Sequence, residues 1–106
     1  MITVTIKEKS WLAAMAARKL KTAKVAMVIG RTIYLHNTSR EEFMTNKRWL
    51  RHEIAHVKQY QRMGVLTFIV AYLMETFNKG YEHNRFEVEA RTMERNLGIL
   101  EEITIH

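Results

Sequence analysis

The sequence predicts an α+β fold in a single domain, and three features lead there. Short runs of alternating β-branched residues near the start and around residue 30 read as strands. Longer stretches with an apolar residue every three to four positions read as helices. No proline, internal repeat or low-complexity linker interrupts the chain. At 106 residues, 47% hydrophobic and 26% charged, the chain has apolar material for one modest core and not for a second module. The expected arrangement over residues 1–106 is a small antiparallel sheet packed on a central helix, with a buried helix and a last helix completing the unit.

In chain order, residues 2–6 (ITVTI) alternate β-branched side chains and form a short strand. Ser10 caps a helix from Trp11 to about Lys21 that buries Trp11, Leu12, Met15 and Leu20, and its basic end suits the negative pole of the helix dipole. Residues 24–30 and 32–36 are two strands of a hairpin turning at Gly30-Arg31, with Ile33 and Leu35 facing one way and Thr32, Tyr34 and His36 the other. Thr38-Ser39 ahead of Glu41-Glu42 offers a capping box for a short helix leading into a long one at about Lys47. Residues 65–77 are apolar nearly all round, so a helix buried against the rest of the fold is expected, closed by Asn78-Lys79-Gly80. Asn84 caps a last helix with an apolar stripe of Phe86, Ala90, Met93 and Leu97, and Ile103-Thr104-Ile105 reads as a strand.

Bulk properties narrow the function. Without cysteine there is no disulfide framework and no thiolate metal site. The start lacks a basic n-region and the longest apolar run is far below the roughly 20 residues that span a bilayer, so the expected compartment is the cytoplasm. The net charge of +6 is concentrated early: residues 1–24 carry six Lys/Arg against one Glu, whereas 63–106 carry four against seven. A solvated surface accounts for this, and no firm nucleic-acid signal accompanies it.

The chemistry lies in His52-Glu53-Ile54-Ala55-His56. Histidines four apart stand one turn above the other on the same side of a helix, so both imidazoles can reach one ion. Glu53, rotated about 100° away, comes beside that ion as a base for the water it activates, which is the layout of a hydrolytic zinc centre. The helix separates its duties: Leu50, Ile54 and Val57 make an apolar stripe, Lys47, Arg48, Arg51, Lys58 and Arg62 a basic arc, and Trp49, His52, Glu53, His56 and Tyr60 a third side. A third protein ligand is required, and Glu75, Glu82, His83, Glu87 and Glu89 are the candidates downstream. Asn84-x-x-Glu87 is also a capping-box pattern, which would turn that carboxylate back to the backbone.

His52-Glu53-x-x-His56-Val57-x-Gln59, followed 31 residues after His56 by Glu87-Val88-Glu89-Ala90-Arg91, resembles the gluzincin zinc metallopeptidases, and more narrowly their small bacterial domains of unknown function. The resemblance implies Zn2+ on His52, His56 and Glu87, with Glu89 or His83 as alternatives for the third position. It also implies Glu53 as general base and peptide or protein substrates paired along a sheet edge, assigned to residues 32–37. Tyr81 and His83 are the nearest candidates for an oxyanion donor, with Tyr34 and Tyr60 behind them. One position departs from the pattern: Arg91 stands where the family has an aspartate that orients a zinc-bound histidine. A chain lacking that carboxylate could be a zinc-stabilised binding module or inactive pseudo-peptidase, and a basic nucleic-acid-associated protein is the remaining alternative. A homo-oligomer is compatible with all three.

Overall fold

A four-stranded sheet carries one helix on one face and the remaining helices on the other. The computed structural model describes residues 2–106. Its elements are β1 (Ile2–Lys7), α1 (Trp11–Leu20), β2 (Val25–Ile29), β3 (Thr32–His36), α2 (Arg40–Thr45), α3 (Lys47–Met63), α4 (Val65–Lys79), α5 (Arg85–Met93), a 3-10 turn (Leu97–Leu100) and β4 (Ile103–Ile105). The α+β class is as expected, but the sheet is mixed rather than antiparallel. Its order is β2-β3-β1-β4, with only the β2–β3 hairpin antiparallel and β1 running parallel to both β3 and β4. Inserting β1 beside β3 makes β3 an inner strand. The edge role expected of residues 32–37 therefore falls to β2, one strand earlier.

Local chemistry explains the helix starts. Ser10 Oγ accepts from Ala13 N, Ser39 Oγ from Glu42 N and Asn46 Oδ1 from Trp49 N, each occupying an N–H that has no partner inside its helix. Gly30 holds φ +63 at the hairpin tip, a conformation glycine adopts without steric cost. The apolar stripe of α3 packs Leu50, Ile54 and Val57 against Val4, Ile6, Ile33 and Leu35 from the sheet, with Phe43, Phe86, Ala90 and Ile99 closing the core. One side of α3 is thereby fixed on the sheet, which leaves His52, Glu53 and His56 turned toward α4 and α5.

Two helices pack differently from expectation. In α1 the buried residues are Ala13 and Ala17, whose small side chains let the helix approach the sheet closely, while Trp11, Met15 and Leu20 point to solvent. Of the fifteen residues in α4 only Phe68 is buried; Leu66, Val70, Leu73, Met74 and Phe77 are exposed, so this is not the buried helix its composition suggests. Leu97 likewise leaves the α5 stripe, since α5 ends at Met93 and the chain turns into the 3-10 segment.

α4 is tied to α5 by Asn84, which is fully buried. Its Oδ1 accepts from Phe86 N, while its Nδ2 donates to Tyr72 O and to Thr76 Oγ1. Asn84→Ala is expected to destabilise the metal-free chain by about 2–4 kcal/mol, since it removes a cap and leaves a buried carbonyl unpaired. Urea unfolding checks this, and a loss under about 1 kcal/mol would mean that water replaces the amide.

Candidate metal centre

α3 and α5 bring three ligand-type side chains to one point. His52 Nε2 lies 3.0 Å from Glu87 Oε1, and His56 Nε2 lies 3.2 Å from Glu87 Oε2. One ligand atom from each of the three residues falls within 4.8 Å of the others. Ligand atoms about 2.1 Å from a tetrahedral ion would be about 3.4 Å apart, so small adjustments accommodate a metal here. Glu87 is buried and does not serve as a capping-box residue, because Asn84 N donates to Tyr81 O instead. Tyr72, a residue the sequence did not mark, donates to Glu87 Oε2 at 2.5 Å from α4.

The outer side of each imidazole is also fixed. His52 Nδ1 lies 2.7 Å from Glu94 Oε2, and His56 Nδ1 lies 2.8 Å from Gln59 Oε1. The Gln59 orientation is forced, because its Nε2 amide donates one hydrogen to Phe86 O and the other to Glu89 Oε1, groups that can only accept. Gln59 therefore presents its oxygen to His56, and both histidines donate through Nδ1. With Nδ1–H committed outward, two neutral imidazoles would aim Nε2 lone pairs at the Glu87 carboxylate. Two extra protons or one divalent cation resolve that conflict, and the donor set fits the cation.

Electrostatics agree with this geometry. Burial alone would lower the His52 pKa, but the hydrogen bonds with Glu87 and Glu94 and the charges of Glu53 and Glu87 outweigh it and raise it to about 9. His56 is raised in the same way: burial opposes, and Glu87 prevails. Burial would raise Glu87, yet its bonds to His52, His56 and Tyr72 hold it well below the usual carboxylate range. Glu53 has less support, a hydrogen bond from Trp49 being the smallest of the influences on it. Burial pushes it up to about 7, with the two imidazoles pulling the other way.

A groove of about 510 Å³ opens over the triad, with β2 on one wall, Phe68, Ile69, Tyr72 and Leu73 of α4 on another, and Glu53 and Tyr81 at its floor. It continues into a more polar recess of about 580 Å³ lined by Lys24, Asn46, Arg48, Glu82 and Glu94. Tyr81 lines both and its hydroxyl is raised above the ordinary tyrosine range by burial and by Glu87. His83 is exposed on the turn before α5 and lines neither, so the structure does not bring it to the triad. Glu89 is placed on Gln59 and Arg62, 2.7 and 3.2 Å away, rather than among the ligand atoms. Tyr60 donates to Val28 O and Tyr34 packs with α1, so neither hydroxyl faces the groove from a catalytic position.

The carboxylate missing at Arg91 is present elsewhere. Glu94 lies seven residues after Glu87, two helical turns on and so on the same side, and it reaches His52 Nδ1, orienting one of the two histidines as the family's aspartate is expected to. Arg48 Nε holds Glu94 Oε1 at 2.6 Å and Arg51 Nε holds its backbone carbonyl at 2.6 Å, which anchors the end of α5 to α3. Arg91 instead donates to the Glu82 carbonyl. Glu94→Ala is expected to weaken zinc binding about 10- to 100-fold with Arg91→Ala near wild type, measured by competition with a chromogenic chelator. Equal losses in the two variants would contradict the assignment.

The model of the eCIS core domain (extracellular contractile injection system core) matches residues 4–64, more than half of the chain. The chain belongs to the eCIS core domain family. The matched part runs from β1 to the end of α3, so it includes His52, Glu53, His56 and Gln59, while Tyr72, Glu87 and Glu94 lie beyond it. No curated protein and no solved structure matches this eCIS core domain chain significantly. No helix among its described residues is long and apolar enough to cross a membrane.

Proposed function

We propose that this eCIS core domain chain is a zinc-dependent peptidase of gluzincin type, with His52, His56 and Glu87 as the metal ligands and Glu53 as general base. The observation that carries the reading is the convergence of two Nε2 atoms and a buried carboxylate, each held from behind, beside a further acid at the floor of an open groove. A zinc ion held there supplies a Lewis acid for the scissile carbonyl and makes water a nucleophile at neutral pH.

The chain's own residues supply the rest. Glu53, with its affinity for a proton raised to near neutrality by burial, takes one from the attacking water and passes it to the departing amine. Tyr81, half exposed at the groove, is the donor assigned to the oxyanion, whereas Tyr72 is held 2.5 Å from Glu87. The substrate backbone is held by β2. In a two-residue hairpin the Ile29–Thr32 pair is hydrogen-bonded, so alternation turns the N–H and C=O of Ala26 and Val28 outward. Tyr60 takes the Val28 carbonyl, and the other three groups are available to an extended peptide lying in the groove. Glu94 on His52 supports the active reading over an inactive binding module.

The family description points to proteins of an extracellular contractile injection system as the first substrates to examine. Zinc-loaded protein should cleave an unfolded polypeptide, lose that activity to a chelator and recover it with added zinc. Full zinc occupancy without cleavage of either kind of substrate would favour a zinc-stabilised binding module.

A further inference from the structure

The exposed face of α4 is the least explained surface of the molecule. At about 100° per residue, Leu66, Val70, Leu73, Met74 and Phe77 fall within an arc of about 100° that holds no charged side chain. Phe77 is 90% exposed and Leu66 75%. The charged residues of the helix, Glu75 and Lys79, pair with one another on the opposite side at 3.3 Å. A continuous apolar face of this kind on a helix marks a docking surface.

Its surroundings identify what covers it. α1 contributes a wall of the groove through Ala16, Lys19 and Leu20, and α4 contributes Leu73 to the same lining. Beyond that wall α1 exposes Trp11 and Met15 beside Arg18 and Lys19, a mixture of aromatic, apolar and basic side chains suited to the boundary between lipid headgroups and acyl chains. Arg31, at the hairpin tip whose Gly30 approaches Val65, adds an exposed cation near the start of α4. An anionic bilayer complements these cations, Arg18, Lys19 and Arg31, while it accepts the apolar side chains between them.

We propose that the α4 apolar face, with the basic rim of α1, docks on the surface of an anionic lipid bilayer. At fifteen residues α4 is too short to span the hydrocarbon layer and lies along it. The groove, bounded by the same two helices, then opens at the membrane surface, and polypeptide there is what reaches the triad.

Flotation of the zinc-loaded full chain with vesicles tests this. Vesicles of phosphatidylcholine with phosphatidylserine should carry the protein up, with binding at least about tenfold weaker to pure phosphatidylcholine and reduced by salt. Leu66→Glu with Phe77→Glu should abolish flotation while circular dichroism and zinc content stay unchanged. Leu66→Ala with Phe77→Ala should reduce it in graded fashion, and serves should the acidic pair impair folding. Arg18→Gln with Lys19→Gln should weaken it about tenfold or more. The proposal is overturned if the wild type stays unbound with both vesicles, or if the stripe variants float as the wild type does. It is equally overturned if the wild type sediments as a dimer that the stripe variants dissolve, which would assign the face to a second copy. Flotation is read apart from hydrolysis, so failure of either leaves the other standing.

Discussion

Glu53→Gln is expected to lower peptide hydrolysis by about 10²- to 10⁴-fold while the protein still takes up its full complement of zinc. The substitution keeps the size of the side chain and removes only its ability to accept a proton. Glu53 is buried beside His52 and His56 and is not one of the three groups that converge, so metal binding does not depend on it. In its neutral amide form residue 53 also escapes the cost of burying a charge, which is what pushes the wild-type carboxyl up to about 7. The variant should therefore fold at least as stably as the wild type. Hydrolysis is read with the substrate that the zinc-loaded wild type cleaves, and zinc by elemental analysis of the same preparation. Retained activity with retained zinc would remove Glu53 from the mechanism; loss of both would make it a ligand.

What the sequence disclosed follows from the range of the interactions involved. Within α3, the spacing of His52, Glu53 and His56 and the stripe of Leu50, Ile54 and Val57 are consequences of helical geometry alone, so both were legible. Glu87 stands out among the candidate ligands only through resemblance, because local chemistry equally allows a capping box. What decides against the cap is that α5 packs on α3 with residue 87 opposite the two imidazoles. Glu94 is not legible because the family pattern places its acid four residues after Glu87, and only the packing of α5 on α3 brings residue 94, seven residues on and on the same side of the helix, to His52. Tyr72 sits in a run that reads as core, and its hydroxyl matters only once α4 crosses the triad.

The sheet order was beyond reach for a different reason. Alternation in β1 shows that Val4 and Ile6 face the core, but parity is silent on which neighbour the strand pairs with. Its parallel insertion between β3 and β4 is what passes the edge to β2. In α4, high apolar content predicted burial in this fold's core. Only one side of it meets the rest of the chain, through Phe68 and partly buried Ile69, Ala71 and Tyr72, and composition cannot distinguish a core from a docking face.

The second large effect is expected at Glu87. Replacing it by glutamine should weaken zinc binding on the order of 10³-fold or more, since an anion in direct contact with a divalent cation contributes at least about 4 kcal/mol even in a polar protein environment. The same substitution should change how the metal-free chain responds to pH. In the wild type, His52 is raised from its ordinary value of 6.5 to about 9, against the opposing effect of burial, with the Glu87 hydrogen bond the largest contributor. A group whose pKa is raised on folding stabilises the protein fully below its unfolded pKa and ceases to as pH climbs through the folded value. Metal-free wild type should thus lose roughly 2–3 kcal/mol between about pH 6.5 and 9, some solvent screening allowed for. Glu87→Gln should start less stable at pH 6.5 and lose less across that window, because the strongest influence favouring imidazolium is gone while Glu53 and Glu94 remain. Zinc binding to the wild type at pH 7 displaces those imidazole protons, and titration calorimetry in buffers of different ionisation enthalpy should count more of them released than from the variant. Urea midpoints falling in parallel for both proteins would show that Glu87 does not hold the histidines in their protonated form, and with that the charge conflict that favours a divalent cation at the triad would disappear.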